Sequence, residues 1–343
     1  MPGLATPEPL LRRLRRRAVT IPAVTIGFVV ALTISPVAFT FALLFDLLRQ
    51  KRTLPTTRLF AFFVSYLFTE TFGLLQLLAL WIVCLGRQAH LARRTWTVQR
   101  RYVAMHFFFV RTLYGLRFEV EGDELVRTGP LLVFIRHSSI VDTIIPGVFL
   151  ANRHLLELRY VLKKELLVDP CLDVAGHWLP NHFVSRDGTD TAKELDAVAN
   201  LKAGLSATDG VLLYPEGTRF SKSKRARTLD RLKDDPIALQ RASRLVHLLP
   251  PRPGGALALL DAAPACDVLF VGHTGLEGFS SFKEIWSGDL VNRTVRIRFW
   301  REAAATIPST RDERLAWLQH HWERMDDWLT TTAPVAIPLR ATG

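Results

Sequence analysis

The chain has 343 residues, 49% of them hydrophobic, with 44 Lys/Arg against 32 Asp/Glu; this excludes a disordered or collagen-like chain and leaves room for about two units. The excess charge sits at one end. Residues 1–101 hold 14 Lys/Arg and 3 Asp/Glu, while residues 102–343 hold 30 and 29. A nearly neutral folded part argues against a nucleic-acid reader, which carries its basic face on the folded domain.

In chain order, the basic start Arg12–Arg17 leads into Ala18–Phe45, 28 residues without a charged side chain and with Pro22 and Pro36 inside. That run exceeds the ~20 residues that cross a bilayer as a helix. A second run, Leu59–Gly86, has one charge, Glu70, near its middle. The pair predicts a membrane helical hairpin, too long and too promptly repeated for a cleaved signal peptide. Two placements stay open. Basic residues before, between and after the runs fit either spanning helices or a re-entrant hairpin in one leaflet. Glu70 favours the second, because a carboxylate at the bilayer centre is costly. Residues 88–112, with Arg93, Arg94, Arg100, Arg101 and Arg111 among Leu91, Trp96 and Phe107–Phe109, read equally as an interfacial helix or as a basic helix packed on the folded domain.

From about Tyr114 short apolar runs alternate with helical patterns. Leu131–Ile135, Arg159–Leu162, Gly210–Tyr214, Asp267–Gly272 and Thr294–Trp300 predict strands. Residues 190–206, with Asp190 as cap, and Arg311–Leu329 predict helices. Strands separated by helices imply an α/β domain, so the expected division is 1–112 for the membrane end and 113–343 for the folded domain. Ser221–Lys233 predicts a surface loop or a solvated helix. Cys84, Cys171 and Cys266 lack metal or redox spacing and read as buried thiols in a reducing compartment.

The chain contains neither a Gly-rich phosphate loop nor Gly-x-Ser-x-Gly, and no metal-ligand cluster. Histidine five residues before aspartate occurs three times: His137/Asp142, His182/Asp187 and His321/Asp326. A histidine at a strand end with a carboxylate to hold its ring makes a general base. Only the first pair follows a strand-like run; the other two read as bystanders. Downstream, Tyr214-Pro215-Glu216-Gly217-Thr218-Arg219-Phe220 ends a second run at a turn. There a carboxylate, a hydroxyl and a guanidinium suited to phosphate stand together.

At these residues the chain resembles the glycerolipid acyltransferase family, which includes the 1-acylglycerol-3-phosphate O-acyltransferases. His137–Asp142 looks like its first block. Val161–Leu166 with Phe183–Arg186 is similar to the second, Tyr214–Phe220 to the third, and Leu248–Gly255 to the fourth. The Leu-Pro-Arg form of the last, with the tail through Trp317 and Trp328, is closest to the lysocardiolipin-type branch. The resemblance implies a mixed sheet flanked by helices, His137 as base and Asp142 as its orienter. It implies acceptor contacts from Glu216, Gly217, Thr218, Arg219, Arg186 and Lys163. It also implies acyl transfer from acyl-CoA or acyl carrier protein, a co-substrate and not a cofactor, to a lysophospholipid, with lysophosphatidate first. No metal is implied, and the expected place of the site is the cytoplasmic side of a membrane. Arg136 stands before His137 where many members have Asn, an extra proline enters the fourth block, and Gly255 replaces an aromatic residue. Two alternatives are a remodelling enzyme for another lysophospholipid and a catalytically silent membrane adaptor.

Overall fold

The computed structural model describes residues 8–184, 191–279 and 282–332. It opens with three long helices, α1 (Leu10–Leu48), α2 (Pro55–Val83) and α3 (Gln88–Tyr114). There follow β1 (Arg117–Glu121), β2 (Leu131–Ile135), and a short α4 (Ile144–Pro146) that widens into a π turn at Gly147–Asn152. Next come β3 (Glu157–Lys163), α5 (Pro170–Trp178), β4 (His182–Val184), α6 (Thr191–Ala199) and β5 (Asp209–Leu213). The chain closes with α7 (Lys222–Arg231), α8 (Pro236–Arg244), α9 (Pro253–Ala262), β6 (Asp267–Thr274), α10 (Phe282–Ser287), β7 (Thr294–Glu302) and α11 (Arg311–Thr332). Asp190, expected as a helix cap, lies outside the described residues.

The strands make one mixed sheet, ordered β1-β7-β6-β2-β5-β3-β4, with every pair parallel except β6 with β7. All five residues of β2 are buried, as a central parallel strand covered on both faces requires. Its side chains alternate between two cores. Leu131, Val133 and Ile135 join Val110 and Tyr114 of α3 and Phe149; Leu132 and Phe134 join Leu257 and Leu260 of α9 and Trp322 of α11. The expected strands are all present. Two further ones, β1 and β4, lie at the sheet's edges, and the segment expected as a solvated helix is α7, which buries no residue.

Helices α1 and α2 are each long and apolar enough to cross a membrane, and most of the molecule's exposed large apolar side chains lie on them. Asp46, 1% exposed at the end of α1, joins them into a hairpin by accepting the N–H groups of Thr56 and Thr57 at 3.1 and 2.9 Å, an N-cap supplied from the neighbouring helix. The folded domain holds both ends of this hairpin. At one end Arg16 gives two 2.9 Å bonds to the buried carboxylate of Asp173 on α5, and Arg17 adds 3.1 Å to the same group. At the other end Phe45 stacks on Trp286 of α10, whose indole N–H bonds Thr56 at 2.8 Å. Arg16 and Phe45 are about 44 Å apart along a helix rising 1.5 Å per residue, more than the ~30 Å of a hydrocarbon core. The hairpin therefore lies along the domain instead of projecting from it. Glu70 is fully buried between α2, α3 and α5, beside the hydroxyl of Tyr102 and the N–H of Cys171 (3.3 Å). The helix α3 packs on the folded domain: Leu91, Trp96, Val98, Val110 and Tyr114 are buried, while Arg93, Arg94, Arg101, Phe108 and Arg111 are exposed.

Asp173 has no exposed side-chain surface and is the one acidic group on α5 that both arginines meet. Burial alone raises its pKa, but the bonds from His177, Arg16 and Arg17 hold it well below the usual carboxylate range. Asp173→Asn is expected to weaken the seat of α1 by roughly 1.5–3 kcal/mol, the worth of hydrogen bonds to a charged group. Limited trypsin digestion checks this: cleavage within Arg12–Arg17 should accelerate, and an unchanged rate would mean that the helix is held elsewhere.

Candidate active site

Parallel strands β2, β5 and β6 end on the same edge of the sheet, and open α/β sheets present their sites at the carboxyl ends of such strands. His137 lies two residues past β2, and Glu216 three residues past β5. Lys163 is the last residue of β3.

His137 Nδ1 stands 3.1 Å from each oxygen of Asp142. A carboxylate accepts, so Nδ1 carries the proton and Nε2 keeps its lone pair. The His137 side chain is 14% exposed and that of Asp142 is wholly buried. Asp142 also accepts the N–H groups of Ser138 and Ser139 at 2.7 and 2.8 Å, and returns its own N–H to Ser139 Oγ at 2.9 Å. Burial pushes the Asp142 carboxyl up, yet His137, His273 and the Ser139 N–H together leave it below its ordinary value. The pair is thus an imidazole oriented by an ionised carboxylate, with the ring of Tyr214 against it at 4.5 Å between centroids.

Glu216 does not face a ligand. Its side chain is 1% exposed; one oxygen accepts the N–H of His137 and the other that of Leu249, each at 2.9 Å. Burial raises this carboxyl to about 8 against the pull of those two donors. The sequence reading places Glu216 among the acceptor contacts; here both of its oxygens take backbone N–H groups, and it ties the loop bearing His137 to the start of the fourth block. The rest of the third block stays near the surface. Gly217 has φ +66°, and a Cβ there would meet Arg252 Cδ at 3.0 Å, so the glycine is needed both for the left-handed turn and for the arginine that crosses it. Arg252 N–H bonds Pro215 O at 2.8 Å, which seats the fourth block on the third. Lys224 from α7 reaches Thr218 Oγ1 and Arg219 O, both at 2.9 Å, and the N–H of Phe220 bonds His137 O at 2.7 Å. Thr218 and Arg219 are half-buried beside the histidine loop. Lys163 pairs with Val184 across β3 and β4. Arg186 lies outside the described residues.

The other two histidine pairs do different work. His182 bonds Glu194 at 2.6 Å, and its spacing partner Asp187 is outside the described residues. Asp326 accepts the N–H groups of Val246 and His247, both at 2.8 Å, while His321 stacks on Phe270.

Three neighbours carry no sequence motif. Arg136, 1% exposed, turns inward to Glu277 Oε1 at 2.8 Å and to the carbonyls of His273 and His247. His273 is wholly buried beside Asp142. Only the unusual Arg136 gave a signal; His273 sits inside a strand-like run and Glu277 in the turn after it. A small apolar gap of about 10 Å³ lies among Val141, Ile145, Phe149, Phe107, Phe118 and Leu276. Phe107, Phe118 and Phe149 also line an open cleft of about 430 Å³ that reaches Arg111 and Arg153. Among the described residues no cluster of His, Cys, Asp and Glu could hold a metal ion.

Residues 117–262 match the family model described as Acyltransferase. No curated protein matches the chain. Among solved structures, the chain is similar to the 1-acyl-sn-glycerophosphate acyltransferase PlsC of Thermotoga maritima, at 15% identity and a TM-score of 0.49, covering 81% of this chain and 96% of that one.

If Glu216 is a brace, Glu216→Ala leaves two buried N–H groups without an acceptor, at a cost of about 1–3 kcal/mol each. The melting temperature and kcat are expected to fall together. A rise in acceptor KM at an unchanged melting temperature would mean that the carboxylate meets the ligand after all.

Proposed function

We propose, from the match of residues 117–262 to the Acyltransferase family model, that the chain moves a fatty acyl group from an acyl thioester to the free hydroxyl of a lysophospholipid. One observation carries this reading: a half-exposed turn bearing Thr218 and Arg219 is tied by the Phe220 N–H to the carbonyl of His137, whose ring is held by Asp142. A base and a phosphate-binding arginine thus belong to one rigid edge.

A thioester is already activated, so no covalent intermediate on the protein is required. His137 Nε2 takes the proton of the acceptor hydroxyl as that oxygen attacks the thioester carbonyl. The imidazolium, stabilised by Asp142, then gives the proton to the departing thiolate. This is the division of labour of a serine-protease triad, with the acceptor's hydroxyl in place of the serine. Arg219 with Arg252 suits a phosphate. Lysophosphatidate is the first acceptor on this reading. Another lysophospholipid is the second, favoured by Gly255 and the extra proline of the fourth block. The donor is acyl-CoA or acyl carrier protein. The hairpin's exposed apolar side chains and its attachment to the domain at both ends support a seat in one membrane leaflet, with the site on the cytoplasmic side. A silent adaptor is disfavoured by the intact His137–Asp142 pair.

Purified protein with a labelled acyl thioester and a panel of lysolipids tests the reading. His137→Ala is expected to lower turnover by ~10²–10⁴-fold, the worth of a positioned base, without changing the melting temperature. Retained turnover would remove His137 from the chemistry. Arg219→Lys keeps the charge but loses the guanidinium fork. It should raise KM for lysophosphatidate more than for a neutral monoacylglycerol; equal losses on the two would make Arg219 a brace of the turn and not a phosphate contact.

A further inference from the structure

Asp142 has an imidazole on each of two strand ends. His137 Nδ1 stands at 3.1 Å, and His273 Nε2, at the end of β6, stands 3.7 Å from Asp142 Oδ2. The second distance is too long for a hydrogen bond, but His273 Nε2 is also 3.1 Å from the carbonyl oxygen of Arg136. A carbonyl only accepts, so Nε2 carries the proton, and that fixes the tautomer. The same N–H therefore lies close to the Asp142 carboxylate across a buried gap, and its partial positive charge acts on that group. Burial also keeps the ring neutral, with its pKa lowered to about 4.

The partner of this contact is Arg136. The last β2–β6 register pair is Ile135 with Val271, and the N–H of Arg136 adds one more bond to Val271 O at 3.1 Å. Past that point the two strand ends are held by side chains, each gripping the other's backbone: His273 donates to the Arg136 carbonyl, and the Arg136 guanidinium donates to the His273 carbonyl. The guanidinium also holds Glu277 at 2.8 Å. Glu277 opens the turn whose Phe279 carbonyl takes the N–H of Ile140 at 3.0 Å, inside the histidine loop. The peptide fixed by this clamp is the one that leads into His137.

We propose that His273 and Arg136 are a positioning pair for the base. Together they set the backbone at His137, and the His273 N–H draws charge from Asp142 and so tempers its hold on the His137 proton. The inference rests on the acyl-transfer reading, in which His137 is the base. Neither residue touches substrate. The charged groups that face His273 are Asp142 from the loop after β2, Arg136 from the end of β2, and Glu277 from the turn after β6; Glu216, after β5, acts on Arg136 and Asp142 from behind. In a buried site, each N–H held close to a carboxylate lowers its affinity for a proton. Removing the His273 N–H leaves Asp142 a stronger partner for the His137 imidazolium, so the protonated and inactive pair persists to higher pH.

The test is a kcat–pH profile and a melting temperature for the full chain in lysolipid-containing vesicles, comparing wild type with His273→Leu, His273→Asn, Arg136→Lys and His137→Ala. His273→Leu is expected to lower kcat at neutral pH by about 10-fold or more and to move the acid limb up by roughly half a unit or more, with KM for the thioester little changed. His273→Asn, whose amide can still donate to the Arg136 carbonyl, should return the acid limb to the wild-type position. Arg136→Lys keeps the charge for Glu277 but cannot span two carbonyls as well, so its kcat should fall. A wild-type acid limb in His273→Leu, an Asn variant as shifted as Leu, or a wild-type kcat in Arg136→Lys would each overturn the pair. If His273→Leu does not fold, the Asn and Lys variants still decide. An active His137→Ala would overturn the base assignment beneath the pair, whereas a dead one beside a normal His273→Leu would overturn the pair alone.

Discussion

A carboxylate withdrawn from water must be given donors, and one edge of this sheet is built around two such groups. Asp142 and Glu216 are both buried, and three consecutive backbone N–H groups answer them: His137 turns to Glu216, while Ser138 and Ser139 turn to Asp142. Unpaired, the ionised Asp142 would cost several kcal/mol and the Glu216 carboxyl about 1–3. The loop after β2 can satisfy both only in a tight conformation that also aims the His137 ring at Asp142. The same demand reaches further, because Glu216 takes its second donor from Leu249 and so draws the fourth block onto the third. The geometry of the base is thus fixed by the solvation of two acids, and the strand ends bring those acids together.

Much of this arrangement was legible in the chain. Four of the five expected strands carry short apolar runs and β7 alternates Val295, Ile297 and Phe299 with arginines; β2 and β6, buried on both faces, gave the clearest signals. The edge strands β1 and β4 gave little: Arg117–Glu121 alternates charges with apolar residues, and β4 has only three residues. The His137/Asp142 pair could be chosen from three equal spacings by its place after a strand. The direction of a side chain could not be read in the same way. Glu216 sits in a turn beside Thr218 and Arg219, and nothing in that sequence says that the glutamate points inward while its neighbours stay near the surface. His273 and Glu277 were invisible for another reason. Their partner Arg136 is 137 and 141 residues away, and only the β2–β6 pairing closes that distance.

The hairpin shows the same limit. Composition and charge identify two apolar helices, but their placement depends on Asp173 and Trp286, far along the chain. Glu70 looked like a costly charge in lipid. It is a buried group shared with Tyr102 and Cys171, on the side of α2 turned to α3 and α5. The arginines divide: Arg16 and Arg17 of the basic start are committed to Asp173, whereas Arg93, Arg94 and Arg101 on α3 stay exposed.

That anchoring imposes an order on synthesis. The residues that cover the polar side of α2 lie on α5, and Asp173 is added 90 residues after α2 ends at Val83. At about 5–20 residues per second, the apolar hairpin leaves the ribosome roughly 5–20 s before its acidic seat exists. Through that interval Glu70 lacks the Cys171 N–H, and Arg16 and Arg17 lack Asp173. A lipid surface with anionic headgroups offers the young helices an apolar medium and interim counter-charges. On the proposed membrane seat, the domain closes last, onto a hairpin already lodged in lipid.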